Sequence, residues 1–414
     1  MRSCGDAIQT LQEASARRVP CPRFPAAGGS EGRVRRPAGA GRDAGTALKK
    51  TRCGACGREQ SGWYDRRTRR VRDMPCGPYR IFLEFEVRRV RCPHCQAVKR
   101  EALDFLSDSA FYTKRFAYYV GRRCRNESIA AVAKELHLDW DSVKTLEKQY
   151  MKAQLAKAGT PGPTHLGIDE ISVKKGHRYR IVVSDLKRKR PIWFGGTDRS
   201  EASMAAFYAD IGQKKARRVK LAVMDMWKPF RNATREHAPQ AAIVFDKFHV
   251  MRHLGDALDK VRKAEYARLS GNDRRFIKGQ KYTLLSNREN LSTDGRRALK
   301  TLLAANKRLN TAYLLKESFG QLWSYKTEAG ARRFFERWRD ALKWQRLAPY
   351  EQFAAMIERH WDGIAAYSRP ENKVSLGFVE GLNNKIRVIQ RRAYGLRDEE
   401  YLRLKILTCM LPPL

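Results

Sequence analysis

No stretch of this chain approaches the roughly 18 consecutive apolar residues that a membrane-spanning helix needs, and no charged-then-apolar leader opens it. A soluble, cytoplasmic protein with no membrane partner is therefore expected. Cysteine is scarce: nine among 414 residues, an odd number. That is too few to staple a chain of this length, so metal binding is a better use for them than a disulfide scaffold. Acidic residues are also outnumbered, 44 Asp+Glu against 84 Lys+Arg, leaving a net charge of +40 spread along nearly the whole length. Such an excess points to a polyanionic partner held with salt-dependent affinity through counterion release. Ribosome association is the plainer alternative. The length leaves room for two or three domains and a catalytic core.

Against this basic background three acids stand out. Asp169 in HLGIDEISV and Asp225 in VKLAVMDMWK each close a short apolar run that reads as a buried strand. An ionised carboxylate there is costly unless it is paired, hydrogen-bonded or bound to a metal. Glu380 in LGFVEGLNNKIRV lies in a helical pattern instead. Val379, Leu382, Ile386 and Ile389 form its apolar stripe, and Glu380, Asn384, Arg387 and Arg391 form another. Two strand-end aspartates and a helix glutamate suit a pair of Mg²⁺ ions (or Mn²⁺) about 3.5–4 Å apart for in-line phosphoryl transfer. Alone, each acid reads more simply as a turn residue, a cap or a solvated helix position.

Residues 1–48, rich in Gly, Ala, Pro and Arg, read as a disordered basic tail, helical at most around Ile8–Ala16. Cys53-Gly-Ala-Cys56 and Cys92-Pro-His-Cys95 then form two knuckles with 35 residues between them. Four thiolates so arranged make a closed, structural zinc site. Cys76 and His94 are spare ligands nearby, and Arg88, Arg89 and Arg91 suggest a DNA-facing finger. Next comes a helix-turn-helix pattern. Ser128 caps a first helix with Ile129, Val132, Ala133 and Leu136 inward, His137-Leu138 turns, and Asp139 caps a second helix with Val143 and Leu146 inward. That second helix would offer Trp140, Asp141, Ser142, Lys144 and Thr145 to a major groove.

AKAGTPGP at 156–163 reads as a linker. Beyond it, a strand meander with charged hairpin tips (KKGHR, KRKR), a helix near Glu201–Ile211, the Asp225 strand, a helix near Pro229–His237 and the strand AAIVFDKFHV follow in the order of a ribonuclease-H-like sheet. Asp246 and His249 end the last strand as D-x-x-H. A helix cap with a first-turn histidine is the plain reading, and a role beside the metals or on the DNA strand is the sharper one. The stretch 251–371 is helical, basic and aromatic. Most of its Trp323, Trp338, Trp344 and Trp361 should be packing core, with one or two left to stack on an unpaired base.

The C-terminal GFVEGLNNKIRVIQRRAYGLRDEEYLRLKIL resembles the signature of insertion-sequence transposases of the ISL-three family. The doubled knuckle, SIAAVAKELHLDWDSVKTL, GIDEIS, VMDMWKPF and FDKFHV occur in that family's order, so the resemblance covers roughly residues 50–414. It implies a DDE transposase with Asp169, Asp225 and Glu380 as catalytic, Mg-binding triad and Asp246 and His249 near the active site. Lys385, Arg387 and Arg391 would guide DNA. The N-terminal modules would bind terminal inverted repeats, a homodimer or higher assembly would join two ends to target DNA, and the protein would be bacterial and nucleoid-associated. The expected chain is α+β and multidomain. It comprises the tail at 1–48, a zinc ribbon-like knuckle at 49–104, a helix-turn-helix at 105–155, a ribonuclease-H-like α/β catalytic core at 163–250, an all-helical insertion at 251–371 and the rest of the core at 372–414. The rival readings are a non-catalytic zinc and helix-turn-helix regulator, which has no use for the triad, and a structure-selective nuclease, which has less use for two N-terminal DNA-binding modules.

Overall fold

The computed structural model describes residues 31–35 and 50–414, except 110, 175–177, 376 and 394–395. These fall into two compact units, one running to Gln154 and including Pro413–Leu414, the other spanning Leu155–Pro412.

The first unit is built on one long strand. Strands β1 (Glu31–Arg35), β2 (Lys50–Arg52), β3 (Glu59–Ser61), β4 (Asp65–Arg72), β5 (Arg80–Cys92) and β6 (Ala97–Arg100) precede its helices. β4 pairs antiparallel along most of β5, whose other edge is shared by β1 at its start and β6 at its end. The strand at Glu31–Arg35 corrects the expectation of disorder for that part of the tail: β5 leaves an edge open at Arg80–Glu84, and backbone pairing there needs no apolar pattern. The helix expected around Ile8–Ala16 lies outside the described residues.

Helices α1 (Lys114–Arg123), α2 (Ile129–Leu136) and α3 (Trp140–Ala158) follow. Ser128 caps α2 by accepting from the Ala131 N–H (3.1 Å), and Asp139 accepts from the Ser142 N–H (2.8 Å) at the start of α3. Between them His137 adopts φ 52°, a left-handed turn that redirects the chain. Val132, Val143 and Leu146 are buried, as the spacing predicts. α3 carries on through Ala158, so the linker begins at Gly159 rather than at 156. Its last turns are Leu, Ala and Lys, good helix formers, and Leu155 packs against a core cluster containing Ile171. Asp73 ties the sheet to α1. Its carboxylate accepts from the Thr113 hydroxyl (2.7 Å) and from Arg115 Nε (2.6 Å), while Thr113 caps α1.

In the second unit β7 (His165–Lys174), β8 (Arg178–Asp185), β9 (Arg190–Gly195), β10 (Leu221–Met224) and β11 (Ala242–Phe245) form a mixed sheet of order β11-β10-β7-β8-β9. β7, β10 and β11 are parallel, and β8 and β9 run antiparallel. Alternation divides β7 between two cores. Leu166 and Ile168 pack with Met204 and Phe207 of α4 (Glu201–Ile211) and, after the short α5 (Gln213–Ala216), with Phe230 and Ala233 of α6 (Lys228–His237). Ile171, with Val182 and Phe194, faces the C-terminal helices of the chain.

From α7 (Lys247–Arg268) through α8 (Gly271–Gly279), α9 (Lys281–Leu285), α10 (Thr293–Ala305), α11 (Lys307–Phe319), α12 (Glu328–Asp340), α13 (Ala348–Arg359) and α14 (Trp361–Ala365) the described residues contain no strand. Phe319, Trp338 and Phe353 form the aromatic centre, with the Trp338 indole N–H donating to the Leu315 carbonyl (2.9 Å). Trp323 and Trp338 are buried and Trp361 stacks on Phe335, as packing requires, whereas Trp344 is exposed. The chain then returns as α15 (Gly377–Arg392) and α16 (Glu399–Thr408), whose Leu382, Ile386, Leu402 and Ile406 cover the second face of the sheet.

Candidate active site

β10 pairs with β7 only as far as Gly167, so past that point one edge of β7 is left without a strand partner among the described residues. Asp169 sits beside this gap. It lies in mid-strand rather than at a strand end, because β7 continues through the alternating Glu170–Lys174 and stays paired to β8. Asp225 immediately follows β10. Each aspartate carboxylate is fixed by a backbone N–H of the next residue, Glu170 at 2.8 Å and Met226 at 2.6 Å.

The D-x-x-H pair makes the expected helix cap, and its histidine lies beside the two aspartates. Asp246 caps α7 by accepting from the Phe248 N–H (2.9 Å), which turns His249 back toward the acids. The ring lies between the two aspartates: Nδ1 is 3.4 Å from Asp225 Oδ2 and Nε2 is 3.9 Å from Asp169 Oδ1. Burial pushes the Asp169 carboxyl above the usual range, against the pull of His249. Burial likewise raises Asp246 to about 6 and Glu170 to about 7, with Asp169 and Asp225 adding like-charge repulsion in both cases. Crowded, partly desolvated carboxylates of this kind suit a cation as their missing partner.

Glu380 reaches this region by way of its helix. A Cβ on Gly167 would sit 2.8 Å from Val379 Cγ2 and 2.7 Å from Ser184 Oγ, so only glycine admits α15 so close to β7. One turn on, Asn383 Nδ2 donates to Asp169 Oδ2 at 2.5 Å. Val379 and Asn383 are thus buried on the sheet, and Glu380 occupies the exposed first turn beside them. The structure joins Asp169, Asp225, Asp246, His249 and Asn383; it shows no contact of Glu380 with the two aspartates. The sequence reading passed over Asn383 and Glu170. The only signal for either was adjacency, one turn from Glu380 and one residue from Asp169.

The four expected zinc ligands converge. The Sγ atoms of Cys53, Cys56, Cys92 and Cys95 all lie within 4.8 Å of one another, and among the described residues no other set of three or more such ligands is gathered so tightly. The β2–β3 hairpin carries the first knuckle and the β5–β6 turn the second. Gly54 lets them meet: its N–H donates to the Arg100 carbonyl (2.9 Å), and a Cβ there would sit 2.6 Å from that oxygen. Backbone N–H groups of Cys56 and Ala55 lower the Cys53 thiol to about 7, while the neighbouring Cys56 thiol and burial raise Cys95 to about 12. Four thiols this close cannot all ionise without a cation, which is the donor set of structural zinc. Cys76 and His94 are exposed and stand outside it.

Of the expected DNA contacts, Trp140 is exposed with Lys144 over its ring (5.1 Å), Thr145 is exposed, and the Ser142 hydroxyl is 3.3 Å from that of Tyr112. Lys385, Arg387 and Arg391 are exposed on α15. Arg88 and Arg89 are instead held by Glu86 and Asp65 within their own sheet.

Three family models match the chain in succession. They are the zinc-finger of transposase IS204/IS1001/IS1096/IS1165 over residues 49–95, the helix-turn-helix domain of transposase family ISL3 over 101–151, and the ISL3-type DDE model described as transposase over 166–406. The class is therefore that of the DDE transposases, DNA-binding enzymes that depend on a divalent metal. The chain is 35% identical over 381 residues to the transposase for insertion sequence element IS1001 of Bordetella parapertussis, covering 90% of this chain and 93% of that one. It is 29% identical over 378 residues to the transposase for insertion sequence element IS1557 of Mycobacterium tuberculosis, covering 85% and 84%. The chain belongs to the ISL3 family of transposases. No helix among the described residues is long and apolar enough to cross a membrane.

Proposed function

We propose that the chain binds the terminal inverted repeats of a bacterial insertion sequence and performs strand cleavage and strand transfer with Asp169, Asp225 and Glu380. The observation that carries this reading is the convergence of Asp169 and Asp225 on His249 beside the unpaired edge of β7, with the helix of Glu380 fastened there through Asn383. The sheet, a meander of β7, β8 and β9 followed by β10 and β11 with helices before each, is read as a ribonuclease-H-like core, and the helices between β11 and α15 as an insertion into it.

The three acids would hold two Mg²⁺ ions; when bound, these supply Lewis-acid activation of the attacking oxygen and charge relief at the departing 3′ oxygen. The protein's own groups orient the reactants. Backbone N–H groups fix one oxygen of each aspartate. Asn383 holds the remaining Asp169 oxygen on the α15 side. His249 lies between the two carboxylates, within 3.4 Å of Asp225 and 3.9 Å of Asp169. Arg387 and Arg391, on the exposed face beyond Glu380, guide backbone phosphates. The same site would serve water in cleavage and a 3′ hydroxyl in joining, so the two reactions share one set of ligands.

The zinc knuckle and the exposed start of α3, with Trp140, Ser142, Lys144 and Thr145, form the end-binding surface. Joining two ends requires two sites, so a homodimer or higher assembly acts. An excision and joining assay in cells tests the reading, with the flanking ends of the gene bracketing a marker. Wild type should give products, and Asp225→Asn and Glu380→Gln should give none while still binding ends. Products from Asp225→Asn would overturn the site assignment.

A further inference from the structure

Next to the acids lies an aromatic group that phosphoryl transfer does not require. Trp227, two residues beyond Asp225, is 38% exposed. Its indole N–H donates to the Arg199 carbonyl (2.8 Å), and the Arg199 guanidinium lies 4.3 Å from its ring centroid. The same guanidinium lies 5.4 Å from the Tyr179 ring and 2.8 Å from Glu170 Oε1, and Glu170 adjoins Asp169. A chain of contacts thus runs from Trp227 through Arg199 and Glu170 to the first acid.

Two hydrogen-bonded or stacked anchors on one indole hold the ring rigid while leaving part of it in solvent. Arg199 lies over it and Lys228 follows it in the chain, so it is not part of an apolar patch of the kind that docks another protein. A fixed aromatic ring amid charges, beside a phosphate-handling centre, matches the way unpaired bases are held: the ring takes the base and cations take its backbone.

We propose that Trp227, braced by Arg199, is a stacking platform for an unpaired nucleobase of the DNA strand whose phosphate lies at the acids. The inference rests on the catalytic reading above and adds to it a DNA distortion: the base next to the scissile phosphate leaves the duplex stack. Glu170 contributes by fixing Arg199 rather than by holding metal.

The test uses the full-length protein and duplexes of its terminal repeat with 2-aminopurine placed singly around the scissile phosphate, in Ca²⁺ so that binding is read without cleavage. Wild type should change the fluorescence at one position adjoining the scissile phosphate and leave distant positions unchanged. Trp227→Ala should abolish that change and slow cleavage in Mg²⁺ by about 10- to 100-fold, with overall end binding altered less than about threefold. Trp227→Phe should keep most of both, and Trp227→Leu, of similar apolar character but without a π face, should lose them. An abasic site at the responsive position should restore part of the cleavage lost in Trp227→Ala, because no base then needs a shelf. No local fluorescence change on DNA that wild type demonstrably binds would overturn the proposal, as would equal behaviour of the Phe and Leu variants. If wild type gives the fluorescence change but never cleaves, the stacking platform stands and the catalytic reading falls.

Discussion

In the first unit four sulfurs lie within 4.8 Å of one another, two of the cysteines fully buried, and the knuckles are clasped by backbone hydrogen bonds. In the second unit the His249 imidazole lies between Asp169 and Asp225, and Glu380 sits on an exposed helical turn. Both places concentrate groups that would repel one another when ionised, and each resolves the repulsion differently. The cysteine site closes on itself, so an ion there becomes part of the fold. The carboxylates are held by protein donors at the stretch of β7 that β10 leaves without a strand partner. The two clusters differ in what lies between their members: nothing but sulfur in one, an imidazole in the other.

The largest effect should come from opening the closed site. Cys92→Ser, or removal of zinc by a strong chelator, should cost the first unit on the order of 10 kcal/mol of metal-linked folding energy. Zinc content and limited proteolysis of the full chain would read this. The cleavage pattern should show the first unit digested and the Leu155–Pro412 unit intact. Equal loss of both units would erase the contrast.

Asp73 offers a metal-free comparison in the same unit. Burial alone would raise its carboxyl, but Arg115 and Thr113 outweigh this and hold it below the usual range. A carboxyl lowered on folding stabilises the native state above its unfolded value of about 4, and that contribution is lost as pH falls through the folded value. Asp73→Ala should destabilise the unit by about 2 kcal/mol at neutral pH, the loss of its hydrogen bonds to Thr113 and Arg115. Asp73→Asn should flatten the acid side of its stability profile, measured by thermal melts from neutral to acid pH. An unchanged profile would remove the pair from the account.

In the open site, Asn383→Ala should slow cleavage by about 10- to 100-fold, the cost typical of losing a group that orients a metal ligand. Raising the Mg²⁺ concentration should recover part of the loss, and end binding and thermal stability should stay near wild type. A stability loss matching the loss of rate would make Asn383 part of the packing only. The smallest effect belongs to the exposed arginines. Arg387→Ala and Arg391→Ala should each lower the slope of log affinity against log salt by about 1, evenly across DNA sequences.

Much of this was legible in the chain. Ser128, His137 and Asp139 are local signals, and each performs its expected capping or turning role because a helix end is decided within four residues. The paired C-x₂-C knuckles are local too, and only their meeting depended on β5. Asn383 was not legible: its bond to Asp169 joins residues 214 apart, and no local pattern marks it. Trp227 was hidden because an aromatic after an apolar strand reads as core. The strand at Glu31–Arg35 was missed because its pairing uses backbone and an edge supplied by another strand.

The sequence by itself determined which acids and thiols exist, which of them sit on strand or helix, and that the whole is basic enough to hold DNA. Periodicity and capping act over a few residues, so they are written in neighbouring letters. Only the tertiary structure decided which side chains look at one another. β10 stops pairing at Gly167, Asp246 turns His249 toward both aspartates, and a missing Cβ lets α15 come down beside β7. Those outcomes follow from close packing among distant segments, where a gap of one side chain admits or excludes a whole helix.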